Sequence, residues 1–214
     1  MQNPQDAERF YLTDQPPLLI VFSGTSGSGK DSVVRAVVAR MEENHSPVRF
    51  VVTATTRPRR DDEIDGVDYF FVSEAEFHQM IARDELVEHA LVYGQHKGIP
   101  KRQIHEALAS DKDVVLRLDV QGAAAIRRMF PNAVLIFVAT PTEQELLERL
   151  RRRHTESPQQ LQVRLETALE EMRHIPEFDY VIPNRENKLD ETVDVALQII
   201  AAEKHRVRPR RATV

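Results

Sequence analysis

Gly24-Thr25-Ser26-Gly27-Ser28-Gly29-Lys30 is the stretch on which the fold turns. Residues 18–23, just before it, form a short apolar run that reads as a buried parallel strand. Just after it, Val33, Val34, Val37, Val38 and Met41 recur at helical spacing. A glycine-rich turn between strand and helix lets consecutive backbone N–H groups turn inward around phosphate oxygens, and the helix N-terminus adds its dipole. Lys30 then supplies a point charge for the β- and γ-phosphates. The G-x-x-x-x-G-K spacing in that setting separates this loop from a glycine turn that binds nothing.

One position departs from the pattern. The residue after the lysine is usually Ser or Thr, whose hydroxyl ligates Mg²⁺, but here it is Asp31. A carboxylate is a hard oxygen ligand and can hold Mg²⁺ directly or through water. Ser32 supplies a hydroxyl one residue later, suited to the α-phosphate or to the same metal. The expected donor-nucleotide set is Gly24, Thr25, Ser26, Gly27, Ser28, Gly29, Lys30, Asp31 and Ser32. Mg²⁺ arrives with ATP and meets Asp31 and Ser32.

Outward from the loop, strands and helices alternate. A β-branched run at 49–54 and an aromatic run at 69–72 read as strands, with Asp65-Gly66 between them as a hairpin signal. Ser73 with Glu76 three residues on is a capping box that opens a helix. Strands at 86–93, 114–118, 133–138 and 180–182 then alternate with helices at 100–109, 121–129, 142–152, 159–173 and 190–204. This rhythm predicts an α/β fold, a parallel sheet flanked by helices in three layers. The β-rich insert interrupts it and reads as a separate lobe. Residues 1–17 read as a loose N-terminal arm, and the basic tail 205–214 as mobile.

The 214 residues are enough for one domain with inserted lobes. With 29 Lys and Arg against 34 Asp and Glu the net charge is −5, which gives no general signal for nucleic acid or an anionic membrane. There are no cysteines, which excludes disulfides and Cys-ligated metals. The N-terminal residues lack the basic and apolar regions of a secretory signal, and no apolar run approaches a bilayer span, so a soluble cytoplasmic protein is expected. Against the negative total, arginines cluster at 57–60 and 149–153 and mark local anion sites.

Thr53-Ala54-Thr55-Thr56-Arg57-Pro58-Arg59-Arg60 precedes Glu63-Ile64-Asp65-Gly66-Val67-Asp68-Tyr69-Phe70-Phe71-Val72-Ser73. Arginine forks match phosphate oxygens with paired hydrogen bonds, and a tyrosine hydroxyl can complete such a cage. This stretch, with the phosphate loop upstream, resembles guanylate kinases. The likeness continues through Glu88, Asp119-Val120-Gln121-Gly122, the arginine-rich segment after Leu146 and Val181-Ile182-Pro183-Asn184. It implies a core at 18–54 and 98–204 within a domain of 18–207, a GMP-binding lobe at 55–97 and a helical lid at 150–163. The implied reaction is transfer of the γ-phosphoryl of ATP onto GMP, with dGMP as a further acceptor, by a monomer or homodimer.

The resemblance implies that Arg57, Arg60 and Tyr69 hold the GMP phosphate and that Thr53, Glu88 and Asp119 lie at the guanine. The chemistry agrees, because guanine offers N1–H and N2–H donors that a carboxylate accepts, whereas adenine presents a lone pair at N1. Three matched positions differ from the family. Lys97 stands where a second phosphate-binding tyrosine is expected and can still neutralise phosphate. Ile99 replaces a small hydroxyl residue near the base, and Arg117 stands where an acidic residue often occurs. An arginine run alone reads as a solvated helix face. At the lid position it reads as charge stabilisation for phosphoryl transfer by Arg149, Arg153 and Arg164, together with Lys30 and Arg60. Asn184 matches a position near adenine.

Two related readings remain. A ribose 1,5-bisphosphate kinase would suit Gly-Lys-Asp-Ser in the loop but would lack the guanine carboxylates and the Tyr69 block. A non-catalytic binding module of guanylate-kinase type would lose the phosphate cradle. The eight histidines are scattered without metal-ligand spacing.

Overall fold

All six residues of the first strand, Leu19–Gly24, are buried, as a parallel strand covered on both faces requires. The computed structural model describes residues 15–92, 94–152 and 158–211, with side chains in the last stretch from residue 162. The elements begin β1 Leu19–Gly24, α1 Lys30–Glu43, β2 Val48–Val51, β3 Ala54–Thr55, β4 Phe70–Phe71, α2 Glu74–Ala82, β5 Leu86–Val92 and β6 Gln95–Pro100. They continue α3 Lys101–Leu108, β7 Asp113–Arg117, α4 Val120–Met129, β8 Val134–Ala139, α5 Glu143–Arg151, α6 Pro158–Met172, β9 Tyr180–Pro183 and α7 Leu189–Lys204.

The main sheet is parallel throughout, in the order β2-β7-β1-β8-β9. Alternate residues of β1 point to opposite faces. Ile20 and Phe22 pack with Val33 and Val37 of α1 and Val193 and Ala196 of α7. Leu19 and Val21 pack with Ile104 of α3 and Ala123 and Ile126 of α4. The result is the expected three-layer α/β core, with β1 central and the glycine loop at its carboxyl end, where open parallel sheets bind ligands.

A second sheet, in the order β4-β3-β6-β5, carries the insert and covers a small core of Ala54, Phe77 and Leu86. Its α2 starts on the expected capping box: Ser73 Oγ accepts from Glu76 N–H at 3.2 Å, and Glu76 Oε2 accepts from Ser73 N–H at 2.7 Å.

Four local expectations change. The run at 49–54 is not one strand, because its partners change: Val51 pairs with β7, whereas Ala54 pairs with Phe70 and Gly98. Asp65-Gly66 closes a turn on itself rather than a hairpin. Gly66 N–H donates to the Tyr69 carbonyl at 2.8 Å, Asp65 accepts from Phe71 N–H at 2.9 Å, and β4 then pairs with β3 in parallel. The strand β6 was not expected, since Gln95-His96-Lys97-Gly98 has no apolar alternation; it forms because β5 and β3 bond it from both sides. Within the exposed basic tail Arg210 is tied to the body of the domain, paired with Glu203 at 2.9 Å and Asp179 at 3.3 Å. Residues 1–14 of the arm and 212–214 of the tail lie outside the described residues.

Candidate active site

The chain leaves β1 at Gly24 with φ +150°, and a Cβ added there would lie 2.2 Å from the Val138 carbonyl oxygen, so only glycine lets the loop turn beside β8. Gly29 caps α1 at φ +80° without a side-chain hydrogen bond, which leaves the first N–H groups of the helix for an anion. Thr25 Oγ1 and Ser28 Oγ are buried with no hydrogen-bond partner among the described residues. Asn184 and Arg149 pack against this loop. The Ser28 carbonyl accepts from Asn184 Nδ2 at 2.7 Å and from Arg149 Nη1 at 3.2 Å. Arg149 also donates to the Asn184 carbonyl at 2.7 Å and to Glu145. Both side chains therefore brace the loop through the Ser28 carbonyl.

On the open side lies a cleft of about 250 Å³, lined by the loop with Lys30, Asp31, Ser32, Arg57, Arg60, Tyr69, Lys97, Asp119 and Arg164. Lys30 Nζ donates to the Leu118 carbonyl at 2.7 Å. Burial pushes its pKa below the ordinary lysine value, an effect partly offset by the charge of Asp31. The Asp31 carboxylate lies 3.8 Å from Arg117 Nε and 3.9 Å from Arg60 Nη1. Burial pushes its carboxyl up, but Arg117, Lys30 and Arg60 together hold it below the ordinary value, so it is anionic at neutral pH. Ser32 is exposed at the cleft rim.

The insert supplies the opposite wall. Arg57 donates in a fork to Glu63, Nη1 to Oε2 at 2.8 Å and Nη2 to Oε1 at 2.6 Å, with its guanidinium 5.1 Å from the Tyr69 ring centre. Glu63 also accepts the Arg60 backbone N–H at 2.9 Å. Burial of Glu63 raises its pKa, but these bonds hold it below the ordinary value. For the Tyr69 phenol, burial and then the Asp31 charge raise the pKa, which keeps it a hydrogen-bond donor.

Below the cleft a second recess is lined by Lys30, Thr53, Tyr69, Glu88, Lys97, Ile99, Arg117 and Asp119. Its volume of about 20 Å³ has room for roughly one water, so a purine enters only if the residues that line it shift. Asp119 Oδ1 caps α4, accepting from Gln121 N–H at 3.1 Å and Gly122 N–H at 3.0 Å. Its Oδ2 is left 3.8 Å from Lys97 Nζ. Burial, and then the Asp119 charge, push the Glu88 carboxyl up to about 7.

The structure thus brings Lys30, Tyr69, Lys97 and Asp119 together at the junction of the two cavities, with Asp31, Arg57, Arg60 and Ser32 on the cleft and Thr53 and Glu88 in the recess. Arg164 lines the cleft beside Glu171, whereas Arg153 and the middle of the expected lid lie outside the described residues. Three site residues escaped the sequence reading. Glu63 stands in the family-like block without an assigned role and holds Arg57. Glu171 Oε2 accepts from Ser26 N–H at 3.3 Å. Arg117 stood out only as a departure from the family and proves to line the recess.

Among the described residues no cluster of three or more His, Asp or Glu could hold a metal, and no helix is long and apolar enough to cross a membrane. A family model described as "Guanylate kinase" matches residues 17–203. The chain is 46% identical over 199 residues to "Guanylate kinase 2, chloroplastic/mitochondrial" of Oryza sativa subsp. japonica, covering 92% of this chain and 68% of that one. It is 40% identical to "Guanylate kinase" of Desulfitobacterium hafniense (strain Y51), covering 89% and 92%. The crystal structure of guanylate kinase from Anaplasma phagocytophilum superimposes with a TM-score of 0.69 at 29% identity, covering 90% of this chain and 89% of that one.

Proposed function

The chain belongs to the guanylate kinase family and is an ATP-dependent nucleoside monophosphate kinase, and from that premise we propose how its residues divide the transfer of the γ-phosphoryl of ATP onto GMP. One observation carries the reading: Lys30 lies at the junction between the phosphate-loop cleft and the carboxylate-lined recess. Phosphoryl transfer needs alignment and charge stabilisation more than covalent chemistry. ATP binds through the backbone of residues 24–32, with Asn184 keeping the loop in shape. Lys30 stabilises charge on the moving phosphoryl group.

The acceptor phosphate is held by Arg57, Arg60 and Tyr69, with Lys97 as an added cation. Arg57 is already forked onto Glu63, so the acceptor phosphate shares or replaces that carboxylate. Glu88 accepts from guanine N1–H and N2–H, and Asp119 Oδ2 is the second acceptor, while Thr53 borders the base. Arg149, Arg153 and Arg164 act from the lid side. Arg149 donates to the carbonyls of Ser28 and Asn184, so its part in transfer requires a change of partner.

The donor set fits Mg²⁺. Asp31 is an anionic hard-oxygen ligand on the cleft, Ser32 adds a rim hydroxyl, and Mg²⁺ is commonly held by one or two carboxylates plus substrate phosphates. When bound, it neutralises charge on the β- and γ-phosphates. We assign ATP, GMP and dGMP as substrates, the cytoplasm as location and a monomer or homodimer as the working form. A coupled assay with ATP and a panel of GMP, dGMP, AMP and ribose 1,5-bisphosphate tests the acceptor site. GMP and dGMP should turn over well and the other two poorly. Preference for the ribose bisphosphate would overturn the guanine assignment.

A further inference from the structure

Arg117 ends β7 with its side chain only 4% exposed, at the carboxyl edge of the main sheet. A guanidinium that serves only as a strut fills its donors with fixed acceptors, as Arg127 does with the carbonyls of Pro131 and Ala133 and with Asp179. Arg117 is different. Among the described residues it donates one hydrogen bond, Nη2 to the Asp68 carbonyl at 2.6 Å. Its buried Nε has no hydrogen-bond partner among the described residues and lies 3.8 Å from Asp31 Oδ1. Its guanidinium lies 4.3 Å from the centre of the Tyr69 ring, with Phe50 at 5.5 Å.

These contacts span the two substrate sites. Asp31 belongs to the first turn of the helix behind the phosphate loop, whereas Asp68 and Tyr69 belong to the insert. A buried guanidinium left without a counter-charge is strongly unfavourable, and a carboxylate beside a polyphosphate needs a cation. Asp31 and Arg117 each meet the other's need. The two departures from the family pattern noted separately in the sequence are neighbours in space.

We propose that Arg117 is the positioning residue of the acceptor site: stacked on Tyr69 and paired with Asp31, it holds the phenol over the cleft and ties that wall to the donor helix. It acts through Tyr69, so its loss weakens acceptor binding without removing a reacting group. This rests on the assignment of Tyr69 to the acceptor phosphate.

The consequence is a crossed effect, in which a change on the donor helix is felt by the acceptor. The full-length chain and its Arg117→Met, Asp31→Asn, doubly substituted and Tyr69→Phe forms are compared by KM and kcat for each nucleotide, with Mg²⁺ saturating. Thermal melts run alongside. Arg117→Met keeps the stem and removes the charge; it should raise KM for GMP about tenfold while kcat and KM for ATP stay within about threefold. Asp31→Asn should also raise KM for GMP, and the double form should be no worse than Arg117→Met alone.

A folded Arg117→Met protein with the parent's KM for GMP, or effects that multiply in the double form, would overturn the proposal. If Arg117→Met does not fold, Arg117→Lys keeps the charge and loses the planar stack. It should still raise KM for GMP, and an unchanged value overturns the proposal as well. An unchanged Tyr69→Phe form removes the acceptor assignment itself. An impaired Tyr69→Phe beside an unimpaired Arg117→Met removes only the role of Arg117.

Discussion

The donor loop and the acceptor wall face each other across one cleft but are held in different ways. The loop hangs from β1, which is paired on both sides by β7 and β8 and buried along its whole length. Its shape follows from the backbone, from a glycine beside Val138 and from the braces on the Ser28 carbonyl. The acceptor wall rests on strands of two residues, β3 and β4, and is tied by ion pairs: Arg57 to Glu63, Arg35 to Asp68 and Arg60 to Asp31. A site fixed by packing presents one geometry to its ligand. A site fixed by charge pairs can exchange those partners for a phosphate and adjust to its ligand. Substitutions in the loop should therefore damage turnover, and substitutions in the wall should alter selection and affinity.

The largest break in that contrast is Lys30→Ala. Among the described residues Lys30 makes a single hydrogen bond, to the Leu118 carbonyl, and it is not part of the hydrophobic core cluster. The chain should keep its melting temperature within a few degrees while kcat falls on the order of 10² or more. Steady-state rates beside a thermal melt check this, and near-normal turnover in the folded variant would exclude the assigned role of Lys30.

Glu88→Gln addresses the wall. It keeps the shape, removes the charge and supplies an amide that can donate to N1 of adenine. kcat/KM should fall for GMP and rise for AMP, moving their ratio by about 2–4 kcal/mol. Because Ile99 offers no hydroxyl at the recess, base selection falls on Glu88 and Asp119. An unmoved ratio would take base reading away from Glu88.

The same division governs what could be read in the sequence. The donor side was legible because its determinants are local: an apolar strand, glycines at fixed spacing, a lysine and a helix within about fifteen residues of chain. The three-layer core followed from alternation, and α2 from Ser73 and Glu76. The acceptor wall was legible in its residue types, since the Thr-Thr-Arg and Asp-Tyr-Phe-Phe blocks resemble a known family. It was not legible in its pairing. The strand β6 carries no apolar pattern, and β4 joins β3 in parallel although a hairpin signal precedes it. The partners of Arg57, Arg117 and Asp31 are set by contacts between distant segments, which leave no periodicity in the chain. Arg210 shows the same limit, for nothing local distinguishes it from the other basic residues of the tail.

Carboxylate reading of the base is the central claim, and its most direct test is the proton balance of GMP binding. With its carboxyl pushed up to about 7, Glu88 is about half protonated at neutral pH. Only the ionised form accepts both guanine donors, so binding must drive ionisation, and GMP affinity should fall as the pH drops below about 7. Calorimetric titration of GMP at pH 7 in buffers of different ionisation enthalpy measures the protons released. Glu88→Gln serves as the reference that removes the contribution of the GMP phosphate. The parent chain should release about half a proton more per GMP bound than Glu88→Gln does. Equal release by the two proteins would contradict the account.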